Sequence, residues 1–160
     1  MGRGAAVLLS RLKSRVSAQS IFMNFDGTVY TKKVFSDEEF ISCSFENAVF
    51  EDCSFYGCSF KMCNFKNAVF KNCTFQTRFV MNDLTFAKFS DSKFRDGYLK
   101  YCMLDQTTFK DVAFDGTWAG DMMILSNPFA ENVSYAMGAA TEEECKSAKK
   151  NFYQNMQFAS

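Results

Sequence analysis

The cysteines are the most reactive side chains in this sequence, and their spacing decides what chemistry they can support. The chain has seven cysteines and no histidine. Cys53, Cys58 and Cys63 are separated by four residues each, whereas structural zinc and iron–sulfur sites typically place two residues between paired ligands. Without histidine, the chain also lacks Ser-His-Asp or Cys-His catalytic machinery and histidine-ligated haem. We therefore expect no metal site and no bound cofactor.

The charged residues likewise show no catalytic constellation. Carboxylates are spread along the chain without a neighbouring nucleophile or base, and no glycine-rich phosphate-binding loop is present. Eighteen Lys and Arg residues balance eighteen Asp and Glu residues, so the electrostatic attraction that dominates non-specific nucleic-acid binding is missing. The sequence predicts that the protein is not an enzyme and does not bind nucleic acid.

Aromatic residues recur at strict five-residue intervals. Phenylalanine occupies every fifth position from Phe35 to Phe75, and Phe25 and Tyr30 extend the series upstream. A helix would scatter residues five apart around its circumference, and a flat strand would place alternate ones on opposite faces, so neither element explains the spacing. A small residue stands two positions before the centre in seven consecutive repeats, namely at Cys43, Ala48, Cys53, Cys58, Cys63, Ala68 and Cys73.

These segments resemble the repeats of the pentapeptide-repeat protein family; they read CSFEN, AVFED, CSFYG, CSFKM, CNFKN, AVFKN and CTFQT. The resemblance implies an all-β fold, the right-handed quadrilateral β-helix, in which each pentapeptide forms one side of a square coil and four form one turn. The aromatic centres would then point inward, and the cysteines would act as small buried residues beside them.

Similarity at a spacing of twenty residues supports a four-sided coil. The segment ENAVFEDCSF at 46–55 recurs as KNAVFKNCTF at 66–75. Residues twenty apart should therefore lie one coil apart, at about the 4.8 Å spacing of neighbouring strands. This register predicts two stacked charge pairs, Glu46 with Lys66 and Glu51 with Lys71.

The repeat frame shifts by one residue in the second half of the chain. After Phe75 the centres continue from Phe79 to Phe114 in steps of five, so one residue is missing between Phe75 and Phe79. Equivalent positions should differ by nineteen residues, rather than twenty, across this point. Counting the centres predicts a β-helix over residues 23–116 with just under five turns.

Flanking segments complete the predicted domain organisation. Residues 1–22 form a basic amphipathic segment, 117–140 a wrapping loop, and 141–160 a C-terminal capping helix, because the exposed ends of a solenoid require caps. The helix prediction rests on a capping box at residues 141–144 and on an apolar stripe that includes Phe152 and Met156. The apolar run 122–125 is too short to span a bilayer, so we expect no transmembrane segment.

The N-terminal segment also bears on location. It contains four basic and no acidic residues, together with apolar residues at helical spacing: Ala5, Leu8, Leu9, Leu12 and Val16. A basic, acid-free amphipathic start is typical of mitochondrial or plastid targeting peptides. The alternative is a basic helix that caps the solenoid. The sequence predicts a mitochondrial location, with plastid or cytoplasm as alternatives.

Outward positions indicate where a protein partner would bind. Met62, Met81 and Tyr101 fall in one column along the coil, with Val80 beside it and Phe86 on the next side. Aligned apolar residues on a rigid face favour docking. The alternative is that residues 118–137 wrap back and cover this face. The predicted docking residues are Met62, Val80, Met81, Phe86, Tyr101, Phe152 and Met156.

A second outward column is largely acidic and comprises Asp52, Asn72, Asp91 and Asp111. Pentapeptide-repeat proteins with strongly acidic faces can imitate duplex DNA and occupy a DNA topoisomerase. Here lysines interrupt the acidity, at Lys66, Lys71 and Lys110, and the net charge of the chain is zero. Both features disfavour DNA mimicry.

Binding to other proteins is the function that these observations leave. The preferred prediction is a non-catalytic structural or adaptor subunit, a rigid peg that docks into a larger protein assembly. A mitochondrial or other organellar membrane complex, joined peripherally, would fit the N-terminal segment. The alternative is a free inhibitory or effector-type binding protein, including a DNA-mimic topoisomerase binder.

Overall fold

The fold is a tower of stacked parallel strands. The computed structural model describes residues 18–120, 129–136 and 157–158. Within them, the strands are β1 (Ala18–Ile21), β2 (Val29–Thr31), β3 (Val34–Ser36), β4 (Glu38–Ile41), β5 (Val49–Glu51), β6 (Ser54–Lys61), β7 (Val69–Lys71), β8 (Thr74–Val80), β9 (Lys88–Ser90), β10 (Lys93–Arg95), β11 (Tyr98–Lys100), β12 (Thr108–Asp115), β13 (Trp118–Gly120), β14 (Phe129–Ala136) and β15 (Gln157–Phe158).

Each coil has four sides, and equivalent sides stack in parallel. Side 1 contains β1, β4, the ends of β6 and β8, β11 and β13. Side 2 consists of single bridges that link Asn24, Ser44, Asn64, Asp83 and Met103 in turn. Side 3 contains β2, β5, β7, β9 and the start of β12. Side 4 contains β3, the starts of β6 and β8, β10 and the end of β12. The predicted all-β quadrilateral β-helix is confirmed.

The strand register confirms both the period and the missing residue. Phe55 pairs with Phe75, twenty residues away, but Phe60 pairs with Phe79, nineteen residues away. The change falls within the pairing of β6 with β8, at the corner between sides 4 and 1. Pairs between β12 and β14 differ by twenty-one residues, so the chain has one extra residue before β14.

A column of phenylalanine rings forms the core along the axis of the tower. Rings in successive coils stack with centroids 4.5 to 5.2 Å apart, as expected from strand spacing. Rings on adjacent sides meet at steep angles, for example Phe60 against Phe65 at 74°. The small residues two positions before each ring are buried with it, including Cys63 and Ala68. The predicted inward direction of both positions is therefore confirmed.

The structure corrects the predicted boundaries of the β-helix at both ends. Residues 18–21, expected in the N-terminal segment, form β1 and pair with β4. Residues 118–120 and 129–136, expected in a wrapping loop, form β13 and β14, which continue the stack. The centre of β1 is Ser20, and that of the first half of β14 is Ala130. Backbone pairing does not require an aromatic centre, so the ladder extends beyond the Phe-centred repeats.

The C-terminal capping helix over 141–160 lies mostly outside the described residues. At its end the structure differs from the prediction, because Gln157–Phe158 is a strand that pairs with β14. An edge strand offers free backbone donors and acceptors to any segment that reaches it. Within the part of the chain that the structure describes, no helix is long and apolar enough to cross a membrane.

The two predicted charge stacks differ in outcome. Lys71 Nζ lies 3.8 Å from Glu51 Oε1, so this pair is confirmed. Lys66 instead pairs with Asp83 at 3.6 Å, while Glu46 accepts a hydrogen bond from the Asn64 amide. The backbone register between Glu46 and Lys66 is as predicted, since the next residue, Asn47, donates its N–H to the Lys66 carbonyl. The long lysine side chain reaches a carboxylate in the following coil rather than the preceding one.

Candidate protein-docking surface

In the described residues, sides end in a corner residue with left-handed backbone, except the side centred on Phe75, where one residue is missing. Corner residues other than glycine have φ between 45° and 59° in the described residues. This conformation is strained for most side chains, and glycine, asparagine and aspartate tolerate it best. Twelve of the twenty corners accordingly carry one of these three residues. The other eight corners carry residues that tolerate this conformation less well.

Bulky apolar corners gather on one edge of the tower, between sides 1 and 2. Backbone N–H groups link the corners to the coil below: Ser42 donates to Lys61, Met62 to Val80, and Met81 to Lys100. We call this edge the corner ribbon. It comprises the corners Phe22, Ser42, Met62, Met81 and Tyr101 and the residue before each, Ile21, Ile41, Lys61, Val80 and Lys100.

The corner ribbon is unfavourable for the isolated protein in two respects. Its large corner side chains are exposed, Phe22 by 81%, Met62 by 53%, Met81 by 54% and Tyr101 by 40%, and each has positive φ. Left-handed backbone costs an ordinary residue about 1–2 kcal/mol, and exposed apolar surface gains nothing from folding. Neither solvation nor local conformation accounts for these residues, which is the pattern of a binding surface.

The predicted docking residues divide into three groups. Met62, Met81 and Tyr101 lie together on the corner ribbon, and Val80 lies beside Met81, partly buried. Phe86 is a corner residue and exposed, but it lies on the next edge, between sides 2 and 3. The structure therefore separates Phe86 from the ribbon. The other two predicted residues, Phe152 and Met156, lie outside the described residues.

Sequence reasoning missed the upper part of the ribbon. Ile21, Phe22 and Ile41 extend it by two coils, and both Ile21 and Phe22 are exposed. The aromatic period did not indicate these residues, because the first repeat has Ser20, not an aromatic residue, at its centre. The spacing of twenty residues, continued upward from Met62 through position 42, would have found Phe22.

A shallow depression adjoins the lower part of the ribbon. It has a volume of about 550 Å³ and is lined by Val80, Gly97, Tyr98, Lys100 and Tyr101. The Lys100 ammonium lies 4.8 Å from the centroid of the Tyr101 ring, where a cation–π interaction holds the two side chains together. The depression offers a partner side chain an aromatic floor next to a cation.

Backbone conformation accounts for the acidic column. Asp52, Asn72, Asp91 and Asp111 are all corner residues, with φ between 49° and 56°. Asp and Asn are favoured there because their short side chains tolerate the left-handed region. The column therefore needs no functional explanation such as DNA mimicry.

Six of the cysteines are buried inside the tower with free thiols. The Cys63 thiol donates to the carbonyls of Phe40 and Lys61, each 3.4 Å away. Burial raises the pKa of Cys63, Cys73 and Cys102 to about 12, so these thiols stay protonated and unreactive at neutral pH. The prediction that the cysteines are small buried residues is confirmed for these six, and Cys145 lies outside the described residues. Among the residues described, no cluster of three or more metal-ligating side chains occurs.

Stability should fall in alkaline solution because of these thiols. In the unfolded chain Cys63 ionises near its ordinary pKa of about 8.5, whereas in the folded state its pKa is about 12. Between these values the unfolded state binds fewer protons, so the free energy of unfolding decreases as pH rises. Replacing Cys63 with alanine should flatten this decrease by at most about 1.4 kcal/mol per pH unit. Urea denaturation across this pH range measures the effect, with Ser59→Ala as control. An unchanged slope in Cys63→Ala would contradict the prediction.

Comparison with known proteins identifies the repeat. The family model described as "Pentapeptide repeat region" matches residues 33–109, which form the central coils of the tower. This part of the chain is therefore a pentapeptide repeat region, and the resemblance seen in its repeats is confirmed. No match was found among curated protein sequences.

Solved structures are also similar to this chain. A pentapeptide repeat protein from the Arabidopsis thaliana thylakoid lumen is 16% identical with a TM-score of 0.52, over 63% of this chain and 68% of that one. A plasmid-mediated fluoroquinolone resistance protein is 15% identical over 80% and 87% of the two chains, with a TM-score of 0.31. HetL from the cyanobacterium Nostoc, a pentapeptide repeat protein involved in heterocyst differentiation regulation, is 8% identical over 80% and 89%, with a TM-score of 0.27. At such identities the first similarity shows the fold alone, and the other two superpose too weakly to support an inference.

Proposed function

We propose that this protein is a non-catalytic structural or adaptor subunit that docks into a larger protein assembly through the corner ribbon. The observation that carries the proposal is the placement of exposed Phe22, Met62, Met81 and Tyr101 at left-handed corners of one edge. A partner that buries these side chains recovers hydrophobic free energy at about 25 cal/mol per Å². This gain offsets the backbone strain that the isolated protein carries.

The form of the ribbon suits a linear partner segment. From Phe22 to Tyr101 it crosses four coil steps, a length of about 20 Å at strand spacing. The ribbon is attached to a rigid ladder, so little backbone conformational entropy is lost on binding. Methionine at its centre adapts to irregular partner surfaces. A rigid edge with adaptable side chains fits a permanent structural contact.

Catalysis has no support in the described part of the molecule. Burial holds the pKa of several thiols high, and the tower axis is filled by aromatic rings. A free inhibitory protein acting as a DNA mimic has less support than docking, because the acidic column follows from corner conformation.

The nature of the assembly depends on location, for which the sequence of residues 1–22 is the only indication. A mitochondrial location stays a prediction from their basic, acid-free composition. The structural comparisons do not support it, since they concern the fold alone. An organellar membrane complex is therefore one form of the proposed assembly, and plastid and cytoplasm remain the alternatives.

Replacing Met62 and Met81 together with asparagine tests the docking function. Asparagine tolerates left-handed backbone, so the double variant should be more stable than the wild type by about 1 kcal/mol or more, as measured by urea denaturation. The same variant should lose its place in the assembly, because the apolar side chains are gone. Native gel electrophoresis of tagged full-length protein from its source cells measures that loss.

Asp91→Asn is the matched control, because it alters a corner residue on another edge. It should leave both the stability and the assembly unchanged. If Met62→Asn with Met81→Asn stayed in the assembly, the ribbon would not be the docking surface. If the double variant were destabilised, the two methionines would serve the fold instead of a partner.

A further inference from the structure

The upper end of the tower is open in the described residues. Met23 occupies the small inward position of its side, above Cys43, Cys63, Asn82 and Cys102. Those four residues are at most 2% exposed, whereas Met23 is 50% exposed. The Phe25 ring stacks on Phe45 at 4.9 Å and is only partly buried. An inward residue with half its surface in solvent marks an uncovered end.

One half of this end is already protected by a lysine. The Lys33 ammonium lies 5.1 Å from the centroid of the Tyr30 ring and 4.6 Å from that of Phe35. It thereby covers the rings of sides 3 and 4 with a cation–π contact. On sides 1 and 2 no such group is present among the described residues, and Ser20 leaves the place of a ring unfilled. The bare half therefore lies over Met23 and Phe25.

The bare half is also acidic. The two upper coils, residues 18–57, contain seven acidic and two basic residues, a net charge of −5, whereas residues 58–120 contain six acidic and nine basic residues, a net charge of +3. Both basic residues of the upper coils, Lys32 and Lys33, belong to sides 3 and 4. Sides 1 and 2 of these coils carry only negative charges, at Asp26, Glu38, Glu39 and Glu46.

We propose that residues 1–17 of this chain bind the bare half of the upper end as a basic amphipathic helix. The segment carries four basic residues and no acidic one, and its apolar residues recur at helical spacing. It joins the tower at Ala18, on side 1, beside the bare half. A helix over residues 3–16 of this segment would be about 21 Å long. That length is enough to cross one side of the tower, which has five extended residues and is about 16 Å long. The stripe covers Met23 and Phe25, and the basic residues face the acidic rim.

The oxidation rates of three methionines test this proposal in the full-length protein. Met23, Met62 and Met81 are exposed by 50%, 53% and 54% in the structure, so an uncovered Met23 would react with dilute hydrogen peroxide as fast as the other two. With residues 1–17 bound, Met23 should react several-fold more slowly. Peptide mass spectrometry of the sulfoxides measures the rates, with Met62 and Met81 as internal references.

Two double variants of equal charge identify what covers Met23. Leu8→Asp with Leu12→Asp places carboxylates in the apolar stripe and should abolish the protection. Ser10→Asp with Ser14→Asp makes the same charge change on the opposite side of the helix and should preserve it.

Equal oxidation of the three methionines in the wild type would overturn the proposal, as expected if the segment serves only in targeting. Protection that survives Leu8→Asp with Leu12→Asp and rises with protein concentration would overturn it in favour of a second copy of the chain. A failure of the docking function would leave this test unaffected, since Met23 lies off the corner ribbon.

Discussion

Replacing Phe65 with alanine is expected to lower the free energy of unfolding by about 3–5 kcal/mol, the usual cost of truncating a fully buried phenylalanine. The Phe65 ring is completely buried. It stacks on Phe45 at 4.9 Å and meets Phe60 at 5.2 Å. Truncation removes these contacts and leaves a cavity in mid-column, which the paired strands around it cannot close. Urea denaturation followed by circular dichroism measures the loss.

The control for Phe65 must be an outward residue without side-chain bonds. Asn64 is unsuitable, because its side-chain carbonyl accepts the N–H of Lys66 and its amide donates to Glu46. Gln76 is exposed, and Gln76→Ala should change the free energy of unfolding by less than about 0.5 kcal/mol. Similar losses in Phe65→Ala and Gln76→Ala would refute the inward assignment of the ring.

Gly97→Ala should destabilise the fold by about 3 kcal/mol, at the upper end of the usual range for overpacking. Gly97 lies below Thr77, where the chain omits one residue and its backbone takes a shorter path. A Cβ atom on Gly97 would overlap the Thr77 carbonyl oxygen and lie 2.9 Å from its carbonyl carbon. Both atoms belong to backbone within β8, which pairs with β6 above. The clash therefore cannot be relieved by turning a side chain.

Cys58→Ala is the matched control for Gly97. Cys58 occupies the same inward position two coils above, and its replacement with alanine removes one sulfur atom without adding volume. It should cost about 1 kcal/mol, as a small truncation in a core. Thermal unfolding of both variants compares the effects. If Gly97→Ala melted at the temperature of Cys58→Ala or above, the tight approach at the missing residue would be incorrect.

Much of this fold can be predicted from the sequence because the tower repeats the same environment every five residues. Each inward position faces an axis that is alike in every coil, so the same residue types return at Phe45, Phe65 and their equivalents. The missing residue before Phe79 is visible for the same reason, since it breaks an otherwise strict period. The column of Met62, Met81 and Tyr101 follows from counting along that frame.

Other features depend on interactions that the repeat does not specify. The tower extends to Ser20 at one end and Ala130 at the other because backbone hydrogen bonds pair strands whatever their central side chain. Lys66 pairs with Asp83 instead of Glu46, since the reach of a lysine spans coils on either side. These outcomes are set by distances between coils, which a one-dimensional period does not contain.

The significance of the corner ribbon was likewise decided by the tertiary structure. The sequence by itself determined that the protein is a Phe-centred β-helix and which residues face outward. Only the folded chain shows that Phe22, Met62, Met81 and Tyr101 stand at left-handed corners of one edge. An apolar residue on the surface is ordinary. An exposed apolar residue that also has left-handed backbone is unfavourable in two ways, through its exposure to water and through its backbone strain. The proposal that the ribbon docks a partner rests on this combination along one edge, which depends on φ, and φ is fixed by the stacking of successive coils.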